Sequence, residues 1–334
     1  MAARSYPYSS SIISARETAL LDRETIMTAA TSETAESAMM LLREKGYARG
    51  AVELDNAYEF ESIVTYELKE AVGFLKGSAP DENLLSLFLL RYDYLNLKTL
   101  LKLNLLGVEF SEKDMSPYGA ISFDVFEQSI ADKSYFRLPK PMGDALRDLD
   151  KRFAIHEDPT LIGPVLDKAY SRQVNAAMKN EKNPLVREYF KAYFDFTNIM
   201  VVLRLKNAGF PAEALKDVLL EGGRFNLFDM QKAYEDKSDG SVSAFYHYGY
   251  EEYLKTPFEK MSGGGGMAGV EKARDDYLLM ILKKGRFNMF TASRAVAYLV
   301  AKEREAAAVR LLMVSMLNHI GAEEMGTRLK ALYV

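Results

Sequence analysis

Two carboxylate–amide pairs are the residues of this sequence whose types and spacing could do chemistry. Asp93 and Asn96 lie three residues apart, and so do Asp195 and Asn198, which places each pair on one face of a helix. The neighbouring residues are apolar around most of the helix, so both pairs are predicted to be buried. Buried carboxylates are among the groups that general acid–base catalysis uses.

Three roles are open for these pairs. Each could hydrogen-bond a neighbouring helix end inside its own unit and fix the helix register, since a buried carboxylate or amide is costly without a partner. Each could instead make a polar contact inside a shared cavity, or the two aspartates, Asp93 and Asp195, could meet as an acid–base pair. We favour the structural role, because nothing in the spacing requires the aspartates to meet.

Two cations follow the aspartates along the same helices. Lys102 and Arg204 each lie nine residues beyond an aspartate, which is half a helical circumference away. They are therefore not expected to pair with those aspartates, and we regard them as a candidate binding interface. The simpler alternative is a solvated cation near the negative end of the helix dipole.

Other kinds of active site find no support in the sequence. There is no cysteine, which excludes disulfides, thiolate metal sites and thiol catalysis. None of His156, His247 and His319 has a partner at metal-ligand spacing. The glycine run at 263–266 is not followed by Gly-Lys-Ser/Thr, so it does not predict a phosphate-binding loop. We therefore predict no catalytic, cofactor-binding or metal-binding residues and a protein that is not itself an enzyme.

Composition narrows the class of protein further. The 334 residues carry a net charge of -4, which excludes a strongly basic nucleic-acid binder. Residues 270–334 are mildly basic, with 11 Lys and Arg against 7 Asp and Glu. Apolar runs are far shorter than the ~20 residues of a membrane span, and residues 1–14 lack the apolar core of a signal peptide. We expect a cytoplasmic protein that does not cross a bilayer by itself.

The aspartates belong to a helical pattern that occurs twice, 102 residues apart. The pattern predicts helices at 82–106 and 185–207, each ending in a glycine that suits a left-handed C-cap. The matched positions are Phe88, Tyr92, Asp93, Tyr94, Asn96, Leu97, Leu101, Lys102, Leu103 and Gly107 in the first copy, and Phe190, Phe194, Asp195, Phe196, Asn198, Ile199, Leu203, Arg204, Leu205 and Gly209 in the second.

A third, diverged copy is predicted around Tyr298–Met313, with Glu305 at the aspartate position and Ala308 at the asparagine position. A second repeat, Gly-Arg-Phe-Asn-Leu/Met-Phe, occurs at 223–228 and 285–290 and is predicted to open an amphipathic helix each time. Strand signals are sparse. Further helices are predicted at 16–30, 33–45, 57–76, 139–153 and 160–179, and a flexible connection at 262–269.

We therefore predict an all-α protein of three similar helical domains, at 1–125, 126–235 and 236–334. The boundaries are approximate, and this division is compatible with packing of the N-terminal helices against the C-terminal helices.

Several of these segments, in this order, resemble the C subunit of V/A-type ATPases, whose eukaryotic counterpart is the d subunit. The segments are LLRYDYLNLKTLLK at 89–102, FKAYFDFTNIMVVLRLKNAGF at 190–210, Leu166–Tyr170, the C-terminal stretch 298–334 and the N-terminal stretch 6–47. The resemblance covers essentially the whole chain. Its departures are Ala308 and the glycine run at 262–269.

The resemblance implies three all-helical domains around a pseudo-threefold axis, forming a funnel at the foot of the central stalk. The funnel receives the central axle, made of D/F-type subunits, and its other face rests on the proteolipid of the membrane rotor ring. Such a subunit transmits torque between ATP turnover and ion movement and binds no nucleotide. Asp93, Asn96, Asp195 and Asn198 match a fold-defining motif of the family, and Glu305 matches a weaker third copy.

The resulting hypothesis is a non-catalytic rotor subunit of a V/A-type ATPase, peripheral to the membrane through the ring and without a nucleic-acid partner. The alternative is a stand-alone helical-repeat adaptor that binds a peptide or helix in a concave face. The choice between H+ and Na+ is set in the membrane subunits, and the sequence of this chain does not distinguish a pump from a synthase.

Overall fold

The computed structural model describes residues 5–51, 56–235, 241–262 and 266–334, and in these ranges there is no β-strand, which confirms the all-α class. Residues 263–265 of the predicted glycine connection lie outside the described ranges. The α-helices are α1 (Tyr6–Glu17), α2 (Arg23–Ala29), α3 (Ala35–Glu44), α4 (Phe60–Ser78), α5 (Glu82–Leu105), α6 (Phe123–Asp132), α7 (Lys140–Phe153), α8 (Ile162–Met178), α9 (Pro184–Asn207), α10 (Leu215–Val218), α11 (Leu227–Glu235), α12 (Glu251–Ser262), α13 (Ala268–Lys283), α14 (Ser293–Leu317) and α15 (Ala322–Arg328).

Three long helices, α5, α9 and α14, carry the three copies of the repeat. Helices α5 and α9 each have 24 residues and α14 has 25. The predicted limits of α5 and α9 agree with the structure to within one residue. In α14 the predicted amphipathic character is wrong, because its residues are buried around most of the circumference. The Ala-rich sequence makes a helix slim enough to be surrounded by others.

The three long helices end in the same way. The residue after the C-cap is left-handed in each, with φ of 64° at Gly107, 70° at Gly209 and 55° at His319. The N–H of the residue that follows donates to the carbonyl oxygen five residues earlier, as in a Schellman motif. These bonds run from Val108 N to Leu103 O (3.0 Å), Phe210 N to Leu205 O (3.1 Å) and Ile320 N to Ser315 O (2.8 Å).

The chain divides into two compact units. One combines Met1–Leu85 with Asp275–Val334, and the other is Ser86–Arg274. In the first unit α14 packs against α1, α2, α3 and α4, around a core that includes Ile26, Leu42 and Val309. Both ends of the chain therefore build one unit. The division into three domains at 125/126 and 235/236 stays a prediction.

The second unit has a core rich in aromatic rings. Phe88 of α5 lies 4.9 Å from Phe190 of α9, measured between ring centroids. Near the end of the unit, Phe225 contacts Phe245, Tyr248 and Tyr250. Helix α7 packs on α8, and α9 packs on α11.

The N-terminal helix prediction at 16–30 is wrong. Helix α1 already ends at Glu17, and α2 begins only at Arg23. Two polar side chains set where α1 and α2 begin, because each caps a helix N-terminus. Ser5 Oγ accepts the N–H of Tyr8, and Asp22 Oδ1 accepts the N–H of Thr25 at 2.7 Å.

His319 occupies a backbone conformation that glycine adopts without strain. We expect His319→Gly to raise the free energy of unfolding by about 0.5–1 kcal/mol, because a left-handed non-glycine residue costs about 1–2 kcal/mol and the added chain entropy offsets part of the gain. Urea denaturation measures the change. Gly209→Ala is the matched control with the opposite sign, and a destabilised His319→Gly would contradict the assignment.

Candidate functional site

The first carboxylate–amide pair binds a loop that returns across α5. Asp93 Oδ1 accepts the N–H groups of Ala120 (2.8 Å) and Ile121 (3.0 Å). Asn96 exchanges two hydrogen bonds with the backbone of Ser116: its Nδ2 donates to the carbonyl at 3.0 Å, and its Oδ1 accepts the N–H at 2.7 Å. We call this arrangement a clasp, meaning a buried acid on a long helix that accepts backbone N–H groups of a loop.

The second pair repeats the clasp on α9. Asp195 Oδ1 accepts the N–H groups of Arg224 (2.6 Å) and Phe225 (3.1 Å). Asn198 exchanges hydrogen bonds with Leu220, donating to its carbonyl at 2.9 Å and accepting its N–H at 2.8 Å. The predicted i, i+3 spacing therefore brings each aspartate and its asparagine to one loop, and each pair is bonded within its own stretch of chain.

The third clasp is made by Glu305 of α14. Its Oε1 accepts the N–H of Leu21 at 2.8 Å, across 284 residues of sequence. Ala308, at the asparagine position, has no amide to add. In all three clasps the loop N–H lies two residues before a helix: Ile121 before α6, Phe225 before α11 and Leu21 before α2. We infer that the N-terminal segment supplies the loop that the third copy lacks downstream.

Glycines make room for the two aspartate clasps. A Cβ at Gly119 would lie closer to Asp93 Oδ1 than van der Waals contact allows, and a Cβ at Gly223 would do the same to Asp195 Oδ1. The carboxylates thus approach the backbone where only a glycine fits. Sequence reasoning missed Gly119 and noted Gly223 only as part of the Gly-Arg-Phe-Asn repeat, although each glycine stands immediately before the residues that donate to the aspartate.

Asp195 has additional partners on its second oxygen. Tyr250 donates its hydroxyl to Oδ2 at 2.7 Å, and Arg224 Nη1 lies 3.6 Å away. Burial raises the pKa of Asp195, while these hydrogen bonds and the Arg224 charge act to lower it. Arg224 also pairs with Glu188. The carboxylate is therefore surrounded by donors that fix it in place, and we infer a structural role rather than proton transfer.

Glu305 belongs to a buried ion triad that sequence reasoning missed. Lys302, which is 4% exposed, pairs with Glu305 and also with Glu67 Oε1 of α4 at 2.5 Å. Glu67 Oε2 in turn accepts the N–H of Ala48 at 2.9 Å. Burial alone would lower the pKa of Lys302, but the two carboxylates outweigh it and the pKa is raised. Burial raises the pKa of Glu305.

The candidate interface cations lie on the surface. Lys102 is exposed on α5, and Arg204 on α9 forms an exposed ion pair with Glu271 of α13, with 2.7 Å between Nη2 and Oε1. Such pairs contribute little to stability. The use of Lys102 and Arg204 as an interface stays a prediction.

The surroundings of the clasps offer little for chemistry. A cavity of about 390 Å³ is lined by Lys168, Asn198, Lys216, Met230 and residues 219–227, and Asp195 does not line it. Within the ranges that the structure describes, no group of three or more His, Asp or Glu residues is placed to hold a metal ion. In the same ranges, no helix combines the length and hydropathy of a bilayer-spanning segment.

Replacement of Asp195 by Leu should harm folding. The change leaves the N–H groups of Arg224 and Phe225 and the Tyr250 hydroxyl without their acceptor, and we expect a loss of about 3–5 kcal/mol in the free energy of unfolding. Asp195→Asn keeps an acceptor oxygen and should lose less. Thermal melts of both variants test this, and an unaltered melting temperature for Asp195→Leu would refute the structural role.

Replacement of Lys302 by Met should be similarly damaging, because it leaves the buried carboxylate of Glu305 and the half-buried carboxylate of Glu67 uncompensated, with an expected loss of about 3–5 kcal/mol. The matched control is Arg310→Met, which breaks the exposed ion pair with Glu61 and should cost under about 1 kcal/mol.

The deficit of Lys302→Met should also shrink as the pH falls. Without Lys302 the pKa of Glu305 rises further above its value in the unfolded chain, so the folded state takes up a proton first and gains stability on acidification. Urea denaturation at several pH values measures the trend, and a deficit that grows towards low pH would contradict it.

Known proteins resemble this chain along most of its length. Residues 9–328 match the family described as ATP synthase (C/AC39) subunit. The chain is 24% identical to the C subunit of the V-type sodium ATPase of Enterococcus hirae, over 82% of this chain and 83% of that protein. It is 27% identical to the C subunit of the V-type ATP synthase of Thermus thermophilus, over 78% and 73% of the two chains. It is 23% identical to the C subunit of the A-type ATP synthase of Methanocaldococcus jannaschii, over 98% and 86%. The match to residues 9–328 spans nearly the whole sequence and both structural units, so this chain belongs to the ATP synthase (C/AC39) subunit family.

Proposed function

We propose that this chain is the non-catalytic rotor subunit that joins the central axle of a V/A-type ATPase to its membrane rotor ring. In this role it binds the D/F-type axle subunits on one side and the ring proteolipid on the other. It transmits torque between ATP hydrolysis or synthesis in the head and H+ or Na+ translocation in the membrane. The observation that carries the proposal is the family match over residues 9–328.

The mechanical demands of this role agree with the construction of the chain. A part that transmits torque has to resist deformation, and closely packed helices do so. The three long helices are each fixed to a loop by a buried acid, through hydrogen bonds of 2.6–3.1 Å. Such bonds are costly to break because the N–H groups would be left buried without an acceptor.

The clasps also explain how buried acids can serve a protein without a reaction of its own. Asp93 and Asp195 each use one carboxylate oxygen for two backbone donors. Glu305 is held by Lys302 and by the Leu21 N–H. These groups are engaged in holding the fold. We place the chain on the cytoplasmic face, peripheral to the membrane through the ring.

Affinity capture from native membranes tests the proposal. With this chain tagged, we expect mass spectrometry to find the catalytic head subunits, the axle subunits and the ring proteolipid together. The matched control is Asp195→Leu, which should fold poorly and recover none of them. Recovery of soluble partners alone, with the rotary subunits present in the lysate, would favour the adaptor alternative.

A second measurement separates coupling from assembly. Membranes that lack this chain should retain ATP hydrolysis in the head but form no ion gradient, and addition of the purified chain should restore gradient formation. If ion transport is unchanged by removal of the chain, the coupling role is wrong.

A further inference from the structure

The loops that lead into the three long helices differ in length and character. Three residues separate α4 from α5, five separate α8 from α9, and nine separate α13 from α14. We call the last of these, residues 284–292, the aromatic loop. It displays large apolar side chains to solvent: Phe287 is 86% exposed and Phe290 is 75% exposed.

The aromatic loop has a defined backbone. Asn288 N–H donates to Gly285 O at 3.0 Å, and the Asn288 side chain accepts the N–H of Phe290 at 3.0 Å. At its base, Ser10 Oγ of α1 donates to Met289 O at 3.3 Å, and the Arg286 guanidinium lies 5.5 Å from the Tyr333 ring. The loop therefore holds its two phenylalanines outward by its own hydrogen bonds.

The same tetrapeptide elsewhere in the chain shows that exposure is a property of the position. In the Gly-Arg-Phe-Asn copy at 223–226, Phe225 is 8% exposed and packs against Phe245 and Tyr250. In the copy at 285–288, the matching Phe287 is 86% exposed. Burial of a phenylalanine side chain stabilises a folded protein by about 1.5–3 kcal/mol. Two exposed rings on one loop therefore lack this stabilisation unless another surface covers them.

The charged side chains nearest the aromatic loop along the sequence are all positive. There is no Asp or Glu between Tyr277 and Lys302, and none in α1 before Glu17, whereas Lys284 and Arg286 lie in the loop itself. Lys284 is exposed and Arg286 is half-buried. Aromatic rings that protrude beside Lys and Arg fit a fluid anionic surface, since the rings enter the headgroup region while the cations meet phosphate groups.

We propose that the aromatic loop binds the surface of an anionic phospholipid bilayer, with Phe287 and Phe290 inserted at headgroup depth and Lys284 and Arg286 on the lipid phosphates. The inference rests on the loop's own geometry and charge and does not depend on the proposed rotor role. Two rings and two cations make a weak contact.

Vesicle co-sedimentation of the full chain tests the proposal. We expect binding to vesicles of phosphatidylcholine mixed with phosphatidylserine, weaker binding to phosphatidylcholine alone, and a decrease as salt is raised. The double variant Phe287→Ser/Phe290→Ser should bind at least about tenfold more weakly. Phe228→Ser is the matched control, because Phe228 ends the other copy of the motif and is 71% exposed, and it should bind as the unaltered chain does.

A fluorescent reporter gives a second readout, which detects weak binding without sedimentation of the vesicles. The chain contains no tryptophan, so Phe290→Trp introduces a single emitter. Its emission should shift to the blue on addition of the anionic vesicles, while Phe228→Trp should not shift. Circular dichroism verifies that every variant is folded.

Three results would overturn the proposal: no binding of the unaltered chain to anionic vesicles, equal binding by the double serine variant, or equal shifts for the two tryptophan variants. A blue shift of Phe290→Trp with purified ring protein but not with vesicles would assign the loop to a protein partner instead. Each of these outcomes leaves the rotor proposal standing, since that is tested by capture and by coupling.

Discussion

The need of buried N–H groups for acceptors governs this structure. A loop that crosses a long buried helix brings backbone donors into an apolar environment, where an unmade hydrogen bond is expensive. One carboxylate on the helix satisfies two adjacent N–H groups, and an asparagine one turn away pairs with a further residue. Because the acceptor stands at a fixed point of the helix, the loop has one register. The short helix that follows two residues later starts from that register.

The clasp occurs three times, and different polar side chains accompany the acid in each. One turn from Asp93, Asn96 holds the backbone of Ser116. Around Asp195, a tyrosine hydroxyl and an arginine are added. Around Glu305 the asparagine is replaced by alanine, and the longer carboxylate is fixed instead by Lys302, which also pairs with Glu67. The acid is therefore common to the three copies, whereas the means of fixing it is not.

Local sequence predicted the parts of this structure that depend on local interactions. The limits of α5 and α9, the turns at Gly107 and Gly209, and the burial of the polar pairs follow from periodicity and spacing. The break between α1 and α2 was missed because its signal is a single aspartate cap. The partners of Glu305 could not be predicted, since they are set by packing between residues far apart in the chain. Phe225 and Phe287 likewise share a motif but have opposite exposure, which only their surroundings decide.

The long separation between Leu21 and Glu305 has a consequence for the order of folding. The clasps of Asp93 and Asp195 close loops of 27 to 30 residues, whereas the clasp of Glu305 closes one of 284. Closing the long loop costs about 2 kcal/mol more in chain entropy if nothing between has folded, and far less once the middle of the chain is compact. During synthesis, the N-terminal helices also have to wait for α14 to leave the ribosome. The unit that contains both chain ends is therefore completed last, and its early helices are the part of the nascent protein most in need of protection from aggregation.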